Sequence, residues 1–490
     1  VSARGRSVVV VGGGIAGLAA AWELTGGAKV DPGRPQITVL ESSRSFGGPL
    51  RSVPFAGRQV DVGPDGFLGR RPEAIELCRE VGVDDHLRPV GTSGASVYVR
   101  GRLRPLPADL LLGVPTRWWP VARSGVLGWA GTLRLLLDLV TPRADRRGPL
   151  GDRALGPLVS RRLGSEVVSA LVDPLVGGIH AGTVADMSTA AVLPQLLAVP
   201  RRGSLLRALR RASRGAGPSN GAPAHGAPAF WSLEGGMSVL VDALARGLRQ
   251  RGADLRTRVA AERLGRGGGA WVVETSSGPL EADGVVLAVP APAAASLLEP
   301  HAPDAAGLTR TVEYASVAVV TLAYRREALR LPAGTGFLVP RGTPSPVGNT
   351  GDEDLLLTAG TFLDAKWPHL RRDDTVLLRA SAGRFGDRRP ERLDDRQLAD
   401  RLSAELAAIL GLVDPPLATL VTRWPRAFPQ YRVGHLLRVS GIESAVRRLP
   451  AIALAGAAYH GVGIPACVAS GRAAARSVLE SIGVGPPARP

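Results

Sequence analysis

Hydrophobic positions along this chain come in short blocks punctuated by glycine, and the first block is the most informative. Residues 7–11 are a β-branched run, the pattern of a buried parallel strand. The run passes into Gly12-Gly13-Gly14-Ile15-Ala16-Gly17 and then a small-residue segment, 18–24, that reads as a helix. A second strand is expected over 36–40, ending at Glu41. Later blocks at 271–275 and 284–290 also read as strands, the second of which would extend the same sheet. Residues 452–456 form another buried strand pattern, which leads through Tyr459 to Pro465 into a small-residue helix over 466–479. The chain thus leaves its first domain and returns to it twice.

Two different insertions separate these pieces. Residues 96–200 read as mainly helical, with Trp118, Trp119, Trp129 and a leucine-rich stretch at 133–140. That stretch fits either core packing or a membrane-surface face. Residues 201–229 are rich in Arg, Gly, Ala, Pro and Ser and read as a mobile basic loop. Strand patterns at 317–324 and 375–380 and a helix near 398–410 suggest an α+β domain. The expected fold class is α/β plus α+β. It comprises a Rossmann-type domain from 1–95, 230–300 and 424–490, a helical insertion at 96–200, and a mixed-sheet substrate domain at 301–423.

Composition narrows the class. With 490 residues the chain exceeds one simple domain, and its 45% hydrophobic content is ordinary for a globular protein. No run of roughly 18 uninterrupted apolar residues predicts a spanning helix. The start passes too quickly into the first strand to read as a signal peptide, so a cytoplasmic location is expected. Cys78 and Cys467 fit a reducing compartment and read as small buried hydrophobes. No metal-ligand spacing is present, and no metal is expected. The net charge of +17 is carried almost entirely by arginine, the lysines being Lys29 and Lys366. Such charge attracts nucleic acid, anionic membrane or acidic substrate. Aromatics at 4% and the lack of a nucleic-acid motif make nucleic acid the weakest of these.

The chemistry begins at the glycines. In G-x-G-x-x-G between a strand and a helix, Gly12 makes the tight turn, Gly14 lets backbone approach a pyrophosphate, and Gly17 allows close helix packing. The helix start offers free N–H groups and a positive dipole to the phosphates. Glu41, at the end of the second strand, is placed to accept hydrogen bonds from a ribose. Arg44 beside Gly47 and Gly48 can reach the same pyrophosphate, which favours FAD over NAD; the plain alternative is a solvated turn. Residues 61–67, with Gly63, Pro64, Asp65 and Gly66, form another glycine-rich turn able to lie along a flavin.

Several motifs together resemble one family. Residues 11–21, 41–48 and Gly63-Pro64-Asp65 are general to amine-oxidase-like flavoproteins. More specific are Phe230-Trp231-Ser232-Leu233-Glu234-Gly235-Gly236 and Arg423-Trp424-Pro425 with Pro429-Gln430-Tyr431-Arg432-Val433-Gly434-His435. With Tyr459 to Cys467, these resemble the protoporphyrinogen oxidase and coproporphyrinogen III oxidase family, although Ala466 stands where an Asp is common. The resemblance spans the chain apart from 201–229. It implies FAD contacts at Gly12, Gly14, Ile15, Ala16, Gly17, Glu41, Ser42, Arg44, Gly48, Gly63, Pro64, Asp65 and Gly66. It adds Val259 near the adenine, where a backbone pair can read the base, and Trp424, Val462, Gly463 and Ile464. Read alone, Val259 is an ordinary strand residue and Trp424 a core aromatic.

The family's implied reaction removes hydride from porphyrinogen meso carbons to the flavin, with molecular oxygen as final acceptor and hydrogen peroxide as product. Gly178, Ile179, His180 and Ala181 have family counterparts expected to line the substrate cavity. His180 reads as a polar wall or proton acceptor, or as a hydrogen-bonded structural histidine. No acid–base residue is assigned. Ala95 stands where the protoporphyrinogen branch carries an arginine, which leans the expectation to coproporphyrinogen III, with protoporphyrinogen IX as the alternative. Other readings are an amine oxidase, a carotenoid desaturase, or a non-catalytic porphyrin-binding flavoprotein. Expected partners are the porphyrinogen, oxygen, peripherally a membrane, and transiently other heme-pathway enzymes.

Overall fold

A computed structural model of the chain describes residues 5–27, 33–140, 151–197, 203–215, 228–348 and 354–485. The chain divides into two compact units. Val1–Pro89, Pro228–Glu313 and Leu436–Pro490 form the first, and Val90–Ala227 and Tyr314–His435 the second.

The first unit is organised on a five-stranded sheet in which every adjacent pair is parallel. The strand order is Asp254–Thr257, β2 (Gln36–Glu41), β1 (Ser7–Val11), Gly284–Leu287, Ile452–Leu454. Val8 to Val11 in the middle are buried, as a parallel strand covered on both faces must be. Between β1 and β2 runs α1 (Ile15–Leu24), all of whose residues are buried. Its alanines and Gly17 let a neighbour come close: a Cβ on Gly471 would lie 2.0 Å from the Ala16 carbonyl oxygen. The Ile464–Ser481 helix therefore meets α1 backbone to backbone, and both join the Ser238–Gln250 helix in one apolar core. Cys78 and Cys467 are free and buried, and burial pushes both thiols up to about 12, which leaves them unreactive.

The second unit holds a seven-stranded mixed sheet. Its order is Ala418–Pro429, Tyr314–Arg325, Thr375–Ala382, Leu357–Phe362, Gly336–Leu338, Ser96–Val99, Arg102–Pro105. Ser96–Val99 runs parallel to Gly336–Leu338, and the other neighbours are antiparallel. The expected boundaries shift accordingly. Residues 96–105 are strand and belong to the sheet of the segment expected as a separate substrate domain. They are only four residues each, too short for a period-2 signal to stand out. Residues 424–435 stay in this unit because the Ala418–Pro429 strand runs unbroken through 424. Residues 301–313 go with the first unit, where the Pro303–Arg310 helix packs.

The loop expected over 201–229 also needs correction. Leu205–Gly215 is a helix that buries Leu205, Leu206 and Leu209 against the helical cluster of this unit. Buried Asp138 holds its start, accepting from the Leu206 amide at 3.1 Å and the Ser204 hydroxyl at 2.8 Å. The arginines masked a helical leucine spacing. Residues 201–202 and 216–227 lie outside the described residues, as do 28–32 between α1 and β2. The leucine-rich stretch is the Trp129–Val140 helix, and only Leu135 and Asp138 are buried on it. Trp129, Leu133, Leu137 and Val140 follow helical spacing and face out, Trp129 by 83%. The core-packing alternative thus holds for one face only.

Candidate functional site: a glycine cradle and a histidine wall

At the carboxyl edge of the parallel sheet, β1 turns through three glycines into α1. Gly12 has φ +108°, and a Cβ there would stand 2.4 Å from the Ala288 carbonyl oxygen, so no other residue fits this turn. A Cβ on Gly17 would come within 1.9 Å of the Gly12 carbonyl oxygen, so Gly17 sets how tightly α1 folds onto the turn. Gly14, by contrast, faces open space. It is the N-cap of α1, with no side-chain cap and no acidic residue in the first turn. The amides of Ile15, Ala16 and Gly17 therefore have no intrahelical acceptor, which is the donor set an anion requires.

Glu41 closes one side of the turn. Its Oε2 accepts from the Gly13 amide at 2.9 Å and its Oε1 from the Ser43 amide at 2.7 Å. The carboxylate is thus held in place with lone pairs to spare for ribose hydroxyls. Gly13 was passed over in the motif, yet it is constrained by both its amide and its space, since a Cβ would lie 2.4 Å from the Phe46 ring. The Gly47 amide donates to the Gly13 carbonyl at 2.8 Å, and a Cβ on Gly48 would stand 3.7 Å from the Gly14 Cα. The second glycine loop thereby lies directly over the first. Ser42 and Arg44 are exposed beside it, and Arg44 has no ion pair among the described residues. Gly63 packs against this loop, where a Cβ would be 2.0 Å from the Pro49 carbonyl oxygen. Pro64 is exposed, Asp65 and Gly66 are half-buried, and the Asp65 carbonyl accepts from the Ser232 hydroxyl at 2.8 Å.

Val259 follows the edge strand Asp254–Thr257 and is buried. Its amide donates to the Glu41 carbonyl at 3.0 Å, so half of the backbone pair expected to read a base is already engaged with β2. Gly463 caps the Ile464–Ser481 helix, again with no side-chain cap and no acid in the first turn. Because Ile452–Leu454 is parallel to β1 through Gly284–Leu287, this second uncapped helix start lies at the same edge of the sheet. Val462, Gly463 and Ile464 are therefore brought to the cradle's edge. That edge is where open parallel sheets bind ligands. Two uncapped helix starts supply backbone donors there and Arg44 adds an exposed cation, which suits a pyrophosphate.

The remaining expected residues belong to the second unit. Trp424 sits in the Ala418–Pro429 strand opposite Val317 and is half-buried, so it is not a core aromatic. Gly178, Ile179 and His180 end the Asp173–His180 helix, and Ala181 stops it with φ +49°. Gly178 and Ile179 are exposed, while His180 is buried. Backbone bonds fix this end: the Gln430 side-chain amide donates to the His180 carbonyl at 3.0 Å, and the Phe385 amide to the Ala181 carbonyl at 2.6 Å. The His180 ring lies 5.8 Å from that of Tyr431, which stacks on His435 at 4.0 Å. His180 Nδ1 is buried with no hydrogen-bond partner, and burial lowers its pKa to about 4. It is a neutral imidazole with one unused polar atom, not the fully hydrogen-bonded structural histidine.

A family model described as flavin containing amine oxidoreductase matches residues 15–479. The coproporphyrinogen III oxidase of Propionibacterium freudenreichii subsp. freudenreichii is 36% identical, covering 99% of this chain and 92% of the relative. That of Bacillus subtilis is 30% identical, covering 97% and 98%. A solved structure from Exiguobacterium sp. 255-15 superposes with a TM-score of 0.82 at 30% identity, over 96% of this chain and 98% of that one.

Proposed function

The chain belongs to the flavin containing amine oxidoreductase family, and we propose that it oxidises coproporphyrinogen III to coproporphyrin III with FAD as its cofactor. The observation that carries this reading is the glycine cradle in a chain alike, end to end, to coproporphyrinogen III oxidases. In this reading the parallel sheet is a Rossmann-type dinucleotide fold. The amides of Ile15 to Gly17 and the Arg44 guanidinium hold the pyrophosphate, and Glu41 holds the ribose. The turn at Val462, Gly463 and Ile464 completes the set. FAD bound there supplies a two-electron acceptor that molecular oxygen reoxidises, yielding hydrogen peroxide.

Each round of the reaction removes a hydride from a meso carbon and a proton from a pyrrole nitrogen, and three rounds, with one proton shifting from the fourth meso carbon to nitrogen, give the porphyrin. What the chain contributes is orientation and exclusion of water. Exposed Gly178 and Ile179 offer an apolar face to the macrocycle. Neutral His180 backs this segment without adding positive charge to the wall. We further assign the exposed apolar stripe Trp129, Leu133, Leu137 and Val140 to peripheral membrane contact.

Porphyrin fluorescence tests the function directly. FAD-loaded protein mixed with coproporphyrinogen III in air should develop it well above a heat-killed control, consuming oxygen. Faster turnover of protoporphyrinogen IX would move the substrate assignment, and no fluorescence from either would overturn it.

A further inference from the structure

An open cavity of about 480 Å³ lies in the second unit, lined by residues on either side in sequence of the Gly178–Ala181 segment. Asp173, from the start of the helix that ends in His180, and Thr183, just beyond Ala181, form one wall. Ser160 and Ser165 form another, and their hydroxyls make no hydrogen bond among the described residues. Arg341 stands at the rim. Its guanidinium is only loosely engaged: Nη2 is 3.5 Å from the Gly182 carbonyl oxygen and Nε is 3.9 Å from Asp173 Oδ2. Asp173 is occupied elsewhere, since its Oδ1 accepts from the Val184 amide at 3.0 Å.

Charge is out of balance here. Behind Arg341 lies Arg384, buried, its Nη2 donating to the carbonyls of Val339 and Thr358 and to no carboxylate. Burial pushes its pKa down to about 10, and the like charge of Arg341 adds to that. Nearby Asp387 and Arg389 cancel each other at 2.7 Å. Two guanidinium groups therefore face one carboxylate, which leaves about one positive charge without an anion. A planar fork of unused donors beside free hydroxyls matches a carboxylate.

We propose that Arg341, with Ser160 and Ser165, anchors a propionate carboxylate of the tetrapyrrole and favours substrates bearing four propionates over those bearing two. The proposal rests on the porphyrinogen reading. Four propionates present a carboxylate from every pyrrole ring, whereas two leave half the rings without one. A single anchor at the cavity therefore meets a carboxylate in any orientation of the first and in only some of the second.

The test titrates FAD-loaded, oxidised protein with coproporphyrin III and with protoporphyrin IX, following tryptophan quenching, alongside turnover of both porphyrinogens. Arg341→Ala should weaken coproporphyrin binding about tenfold, the lower end for one charge-assisted bond because the rim is half-exposed. KM for coproporphyrinogen should rise in step with that loss while kcat stays within about twofold, protoporphyrin should lose less, and Arg341→Lys should recover part of the loss. An unchanged melting temperature keeps the variant comparable. Equal loss for both porphyrins, or none for either, overturns the proposal while leaving the oxidase reading intact. If the unaltered protein binds neither porphyrin and turns over neither porphyrinogen, the oxidase reading itself falls and the anchor with it.

Discussion

The cradle of the first unit and the wall of the second handle their ligands by opposite means. At Gly12 and Gly17 the functional feature is a missing side chain, because backbone atoms occupy the space a Cβ would need. At His180 and Arg341 it is a side chain that is present but not fully used by the protein. A site built from backbone tolerates almost no substitution, and its chemistry is general to any phosphate. A site built from side chains tolerates change and carries the specificity. The difference implies that mutations in the first unit should abolish cofactor loading, whereas those in the second should adjust substrate preference.

The largest effect should come from making the same substitution in both places. Alanine at Gly17 puts a methyl 1.9 Å from the Gly12 carbonyl oxygen, and neither backbone can yield. Overpacking costs about 1–3 kcal/mol where side chains can move, so the upper end or beyond is expected. Gly17→Ala should emerge from gel filtration without visible flavin absorption. Alanine at Gly178 meets only the tip of Leu338 at 3.2 Å and should load flavin normally. Equal flavin content in the two variants would erase the distinction.

Glu41→Ala is next. It removes the acceptor for two backbone amides as well as the ribose contact. With about 1.5–3 kcal/mol for each bond to a charged group, the FAD dissociation constant should rise by at least about tenfold in a fluorescence titration. Glu41→Gln, which keeps one acceptor oxygen, should fall between.

A pH series probes the wall. His180 carries a pKa lowered from 6.5 to about 4 by burial, so the unfolded chain takes up its proton first as pH falls. Its contribution to stability is complete above about 6.5, declines as pH falls below that, and is lost on passing through about 4. His180→Asn should flatten that part of the melting-temperature profile by a few degrees. It should also raise KM for the porphyrinogen more than it lowers kcat. An unaltered profile would mean that His180 is not the buried neutral group described.

The smallest effect on the fold belongs to the exposed stripe. Trp129→Ser should leave stability within about 0.5 kcal/mol, as surface substitutions do. Together with Leu133→Ser it should reduce cosedimentation with anionic liposomes. Liposome binding that persists undiminished would remove the stripe from the membrane assignment.

Much of the first unit could be read without coordinates. The strand–glycine–helix order and the acid ending β2 appear as local patterns, and each corresponds to an element at the sheet edge. The second unit was read less well because its organisation is non-local. Ser96–Val99 joins a sheet whose adjacent strand, Gly336–Leu338, lies some 240 residues away, and no periodicity announces such a pairing. The Leu205–Gly215 helix was hidden by composition, since its three buried leucines are outnumbered by arginine, serine and glycine. Gly13 was missed because the motif leaves that position open, although three glycines in a row were a visible hint. Arg341 could not have been chosen, being one of many arginines in a chain of net charge +17.

By itself the sequence determined what depends on neighbours a few residues apart: the turn at Gly12, the uncapped helix that follows, and the acid ending β2. Local steric exclusion and helix geometry suffice there, because φ, capping and strand patterning are short-range. Tertiary structure alone decided which polar atoms were left without partners. His180 Nδ1 is buried without a partner, and the Arg341 fork meets Gly182 and Asp173 only at 3.5 and 3.9 Å, because of how distant segments pack around them. Burial and pairing are sums over all neighbours in space, and so are the potentials and hydrogen-bond vacancies on which the proposed selectivity of this wall rests.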